Sequence, residues 1–199
     1  MEHAAALEAA IYLMRHPSQV RLVRSRPLPD GVVSLLRIAA EDEEVTRQAA
    51  HWAGKSPETI RQATGFFLEQ ILFDPDANSY RVLGAAASAS NAELRRNMAL
   101  LLRWIHPDLD PKGERSVFAR RVTLAWNDLK TQERRDAYDR CLRLKKRPAR
   151  MKSGKSLRRM GVTAHARNAR FGPIPHSALL YRDSFLGRFL LSLLDRLAH

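Results

Sequence analysis

An all-α fold is predicted by three features of this 199-residue chain. Apolar residues before residue 140 recur at helical spacing, and no Val/Ile/Tyr-rich alternating runs stand between turn signals. Proline and glycine fall between those periodic stretches, where they end helices and open loops. Cap residues stand at several of the predicted helix starts.

The elements follow in order. Leu7, Ile11 and Met14 lie on one face of a first helix, which stops before Pro17. Pro27, Pro29 and Gly31 mark a second start, followed by Val32, Leu35, Leu36 and Ile38. The acids from Glu41 to Glu44 open a third helix that runs through Ala53, where negative charge complements the helix dipole, and Gly54 ends it. Ser56-Pro57-Glu58 reads as an N-cap, a proline at the first helical position and an acid in the first turn. Ile60, Ala63, Phe67 and Ile71 then keep core spacing up to Asp74-Pro75-Asp76. Residues 1–76 are therefore expected to form a helical N-terminal domain, and its role is not legible.

A second unit begins near Tyr80. Ser90-Asn91-Ala92-Glu93 opens a helix with Leu94, Met98, Leu101 and Ile105 on one face. Pro107 lacks the N–H that continuation needs and restricts His106, so the helix ends there. Pro111 and Gly113 keep the following stretch a loop. A further helix from about Arg115 to Lys130 buries Val122, Ala125, Trp126 and Leu129, and Thr131 caps a last helix from Gln132 to Arg140. The two longer helices are expected to close as an antiparallel hairpin with the loop at its tip.

Charge separates the remainder. The formal net charge is +13, yet residues 1–139 carry 19 basic and 19 acidic side chains. The excess lies in residues 140–199, with 15 basic residues against Asp183 and Asp195. Residues 141–180 read as a basic flexible linker, because self-repulsion and low hydrophobicity oppose a packed core. Phe185, Leu186, Phe189, Leu190, Leu193, Leu194 and Leu197 give residues 181–199 an amphipathic helical pattern, too short and too charged to span a bilayer. Basic residues and an apolar face together make a peripheral membrane contact an expectation for that segment. Nucleic acid is less favoured, because aromatic residues are not interleaved with the basic run. Glu2, His3 and Glu8 stand where a signal peptide needs a basic start and an apolar core, so a cytoplasmic protein is expected.

Catalysis and metal binding find no support. His3, His16, His51 and His165 lack ligand spacing, and the single cysteine, Cys141, permits neither an internal disulfide nor a Cys-x-x-Cys zinc site. No nucleophile, base and oxyanion set is present. Neither an enzyme nor a resident cofactor is expected.

Residues 79–140 resemble the J-domain (DnaJ-like) family of co-chaperones in four blocks, in order and in register. Tyr80-Arg81-Val82-Leu83-Gly84 is similar to the family's Tyr-x-x-Leu-Gly, and His106-Pro107-Asp108 follows at the typical spacing. Ala125-Trp126-Asn127-Asp128-Leu129 resembles Ala-Tyr-x-x-Leu, and Arg134-Arg135-Asp136-Ala137-Tyr138-Asp139 resembles Lys-Arg-x-x-Tyr-Asp. The match covers about 60 residues, under a third of the chain. A helical domain ahead of a J domain also resembles, in layout alone, bacterial proteins that pair a TerB-like domain with one.

The resemblance implies a partner rather than a reaction. The loop would dock on a DnaK-type ATPase and favour ATP hydrolysis. Asp108 would pair with a partner arginine, Pro107 would shape the loop and His106 would orient it. Basic residues on the preceding helix would steer the encounter, and Arg95, Arg96 and Arg103 are the candidates. The chain departs from the family in the middle of that helix, where Met98-Ala99-Leu100 replaces basic residues, and at Leu109, where arginine is frequent. Weaker ATPase stimulation is expected in consequence, and a J-like scaffold without stimulation is the competing expectation. Trp104 and Leu100 are expected to face outward, with the N-terminal helices packing on Trp104.

Overall fold

The computed structural model describes residues 4–110 and 112–146. Residues 147–199 lie outside the described residues, and with them the terminal amphipathic segment, most of the basic linker and their expected membrane and nucleic-acid contacts. Among the described residues all regular structure is helical: α1 (Ala4–Arg15), α2 (Val20–Arg24), α3 (Val32–Ala39), α4 (Glu43–Ala53), α5 (Pro57–Phe67), α6 (Ser79–Val82), α7 (Asn91–Trp104), α8 (Ser116–Leu129) and α9 (Gln132–Lys146). No helix among them is long and apolar enough to cross a membrane.

Local chemistry accounts for most boundaries. Asp42, Ser56 and Ser90 each accept a backbone N–H from the first turn of α4, α5 and α7, relieving donors that have no partner inside the helix. At α7 the cap is reciprocal, since the Glu93 carboxylate accepts the Ser90 N–H at 2.7 Å. These backbone and hydroxyl donors hold the Glu93 carboxyl below its ordinary pKa. Gly54 ends α4 in the left-handed conformation.

Three local features depart from the sequence reading. The first helix buries Ala6, Leu7, Ala10 and Leu13, whereas Ile11 and Met14 are only partly covered. The stripe is thus turned by about one residue toward the small alanines, which let α1 lie close to α5. Short α2, preceded by a 3₁₀ turn at Pro17–Gln19, occupies a stretch that carries little apolar periodicity. The last helix continues to Lys146 rather than stopping at Arg140, because nothing from Cys141 to Lys146 opposes helix.

Helix α5 is the hub of the N-terminal part, packing on α1, α3 and α4. Its end widens into a π-turn over Leu68–Leu72, where the Phe73 N–H reaches the Leu68 carbonyl at 3.1 Å. Such a turn leaves carbonyls for outside donors. Arg24 bonds the Gln70 carbonyl at 2.8 Å and Arg81 bonds that of Ile71 at 3.1 Å.

Residues 1–144 form one compact unit, so the helices on either side of Asn78 share a core. Helix α3 packs on α7, α6 on α8, and α7 on α8. Arg81 ties the seam, donating also to the carbonyls of Arg26 at 2.9 Å and Val23 at 3.2 Å, just beyond and within the last turn of α2. Gly84 has φ +61°, and a Cβ there would stand 3.1 Å from Val32 Cγ1 and 3.3 Å from both Leu36 Cδ1 and Leu72 Cδ2. Its lack of a side chain therefore permits both the turn and the close approach of α3.

Candidate partner-binding site

The four sequence blocks come together in two places. Block one meets block four at the base of the unit. The Tyr80 hydroxyl donates to Asp139 Oδ1 at 2.9 Å, and the Ser79 N–H donates to the Tyr138 hydroxyl at 2.7 Å. Ser79 Oγ donates in turn to Asp128 Oδ2 at 2.6 Å, which brings in block three. The Arg135 guanidinium lies 5.9 Å from the Tyr80 ring centroid and bonds the Ala89 carbonyl at 2.9 Å. Loss of water around Tyr80 and its bond to Asp139 push the phenol pKa up to about 12.

Block two stands apart, at the connection between α7 and α8. Helix α7 ends at Trp104, with Ile105 buried beneath the turn and His106 following. The Leu109 and Asp110 N–H groups both donate to the His106 carbonyl, at 2.9 and 3.0 Å, and wind 106–110 into a tight turn. His106 Nδ1 lies 3.3 Å from the Asp108 N–H and 3.3 Å from Asp108 Oδ2. A neutral ring protonated on Nε2 accepts that N–H, while a proton on Nδ1 would face the carboxylate instead. The His106 side chain is 25% exposed and that of Asp108 is 84% exposed. A carboxylate is thus presented to solvent from a turn that the neighbouring imidazole braces.

Farther along, Asp110 is buried and accepts the Arg115 N–H through Oδ2 at 2.7 Å. The Arg115 guanidinium reaches back to the Leu109 carbonyl at 3.1 Å and, more loosely, to that of Trp104 at 3.4 Å. It also lies 5.0 Å from the Trp104 ring centroid, within cation–π range. Sequence reasoning missed Asp110 and Arg115. Neither belongs to the His-Pro-Asp motif, and their only signal was the alternation of acid and base around Gly113.

Arg95, Arg96 and Arg103 are exposed on α7, away from its buried face of Leu94, Asn97, Met98 and Leu101. Arg95 and Arg103 have no hydrogen bond or ion pair among the described residues, whereas Arg96 lies near enough to Glu93 to favour its charged form. Met98 is buried, and Ala99 and Leu100 are partly covered. Trp104 corrects the expectation of an outward-facing ring, for it is 2% exposed. Phe73, from the N-terminal part, lies on it, which meets the expectation that those helices cover Trp104. Trp126 is only partly buried rather than a core residue.

None of the protein-family models, characterised proteins or solved structures compared with the chain matches it.

Proposed function

We propose that this protein is a J-domain co-chaperone that binds a DnaK-type ATPase through the connection between α7 and α8 and stimulates its ATP hydrolysis. On this reading α7 and α8 are the family's antiparallel hairpin, and His106-Pro107-Asp108 is the docking element at its tip. One arrangement carries the reading: an exposed Asp108 carboxylate on a turn whose neighbouring histidine sets Nδ1 3.3 Å from both the Asp108 amide and its carboxylate, serving one or the other according to tautomer. A carboxylate carried on a hydrogen-bonded turn meets a guanidinium at a lower ordering cost than one on a free loop, and such charge-assisted pairs are among the stronger hydrogen bonds.

Arg95 and Arg103 supply positive charge without an internal partner, suited to steering an acidic surface and weakened by salt. Cytoplasmic action, with the segment beyond residue 146 directing the protein to a client or a membrane surface, belongs to the same proposal. The J-like scaffold reading has an observation of its own: the buried Met98 and partly covered Ala99 and Leu100 leave the middle of α7 without basic charge.

Single-turnover ATP hydrolysis by a DnaK-type partner separates the two. His106→Gln keeps size and polarity but loses the ring that contacts Asp108. Stimulation by the wild type should fall at least about tenfold in this variant, the scale of one lost charge-assisted contact. Equal rates for the two proteins would favour the scaffold.

A further inference from the structure

The turn that carries His106-Pro107-Asp108 is braced by a residue from outside the J-like segment. Phe73 follows the π-turn at the end of α5. Its ring centroid lies 4.4 Å from that of Phe118 and 6.0 Å from that of Trp104, with planes inclined by only 19° and 13°. Trp104 and Phe118 are themselves 6.1 Å apart and inclined by 10°. Trp104 is the last residue of α7, two before His106, and Phe118 stands in the first turn of α8. Phe73 therefore touches both edges of the connection without belonging to it. Its backbone is fixed from the same side, because Arg121 of α8 donates to the Phe73 and Asp74 carbonyls.

Trp104 passes this constraint on. Arg115 lies over the indole and bonds the carbonyls of Trp104 and Leu109, and its own N–H is received by Asp110. Leu109 and Asp110 are the residues whose N–H groups close the turn on the His106 carbonyl. Phe73, Trp104, Arg115 and the 106–110 turn thus form one connected set. Flat, near-parallel faces matter here: an aliphatic residue at 73 would fill volume but would not fix the tilt of the indole on which Arg115 rests.

We propose that Phe73 is a positioning residue for the His106-Pro107-Asp108 turn, acting through Trp104 and Arg115, so that the N-terminal helices help set the geometry presented to the ATPase. The proposal rests on the co-chaperone reading for its functional half, whereas the bracing itself can be tested without the partner.

The test uses the full chain and two variants. Phe73→Leu keeps the apolar burial and removes the planar face. Arg115→Lys keeps the charge and removes the fork and the flat guanidinium, and it acts on the other side of Trp104 should the first variant fold poorly. Amide hydrogen exchange is followed at Leu109, Asp110 and Arg115, with the amides of α4 as the control for global opening. Both variants are expected to exchange faster at those three positions while α4 is unchanged. Maximal ATPase stimulation should fall at least about fivefold, with the half-saturating concentration changed less than about twofold because Arg95 and Arg103 are untouched. Unchanged exchange at the three amides overturns the proposal, and so does faster exchange with undiminished maximal stimulation. If the wild type does not stimulate the ATPase, the co-chaperone reading falls and the exchange data alone decide the bracing.

Discussion

Several arginines that look like surface charge in the sequence direct their guanidinium groups to backbone carbonyls. Arg24 takes Gln70; Arg81 takes Val23, Arg26 and Ile71; Arg115 takes Trp104 and Leu109; and Arg121 takes Phe73 and Asp74. Helix ends leave carbonyls without internal partners, and a planar five-donor group can serve two or three at once. Burial makes the charged form of Arg81 harder to keep, lowering its pKa, and the nearby Asp74 works against that shift. Gly84 is the complementary case, a position where adding atoms does harm. Gly84→Ala must place a Cβ in the left-handed region and within 3.1 Å of Val32 Cγ1. The backbone strain and overpacking together should cost about 1–3 kcal/mol, read as a lower urea midpoint with an unchanged slope. A midpoint equal to the wild type would mean that α3 does not approach Gly84 as closely as described.

At the scale of elements, α6 is only four residues long and cannot hold itself; partners at both ends do so. Asn78 caps its start, and Asn97 of α7 donates to the carbonyls of Leu83 and Gly84 at its end. Ser79 and Tyr80 join it to α8 and α9 through Asp128, Tyr138 and Asp139. The Tyr80 phenol titrates at about 12 in the folded protein, above the ordinary value near 10 expected of the unfolded chain. The folded state therefore holds this proton more tightly. The resulting stability is fully present below about pH 10 and is lost as pH rises from there through about 12. Tyr80→Phe removes both the bond and the titration. Its deficit at pH 8, about 0.5–1.5 kcal/mol for one such bond, should shrink as urea unfolding is repeated between pH 10 and 11.5. A deficit constant across that range would contradict the assignment. Acidic residues at the start of α4 and the Ser-led starts of α5 and α7 made these helices legible in sequence, because such signals are local and read from three or four neighbours. The tie from Tyr80 to Asp139 and the choice of buried face on α1 depend on residues dozens of positions away, and no local pattern contains them. The His106-Pro107-Asp108 turn was legible as a motif, whereas its braces, Phe73 and Arg115, were not.

Across the whole molecule, the two parts separated by Asn78 have complementary surfaces that neither could leave bare. A segment of about 60 residues buries only about 60% of its unfolded surface, which leaves little margin for losing a neighbour. Without residues 1–76, Arg81 would lose three carbonyl acceptors and Arg121 two, Trp104 would lose Phe73, and Gly84 would lose the Val32, Leu36 and Leu72 contacts. What remains favourable lies within the segment: the Ser90–Glu93 cap of α7, the packing of α8 on α6 and α7, and the bonds of Tyr80 to Asp139 and of Ser79 to Tyr138 and Asp128. Caps stabilise single helices by about 1 kcal/mol each and do not substitute for a shared core. Deletion of residues 1–76 is therefore expected to lower the melting temperature by more than about 10 °C and to broaden the transition, with helical far-UV circular dichroism partly retained at low temperature. A cooperative melt within about 5 °C of the full chain would show instead that residues 79–146 carry their own core and that the seam is a docking contact between independent bodies.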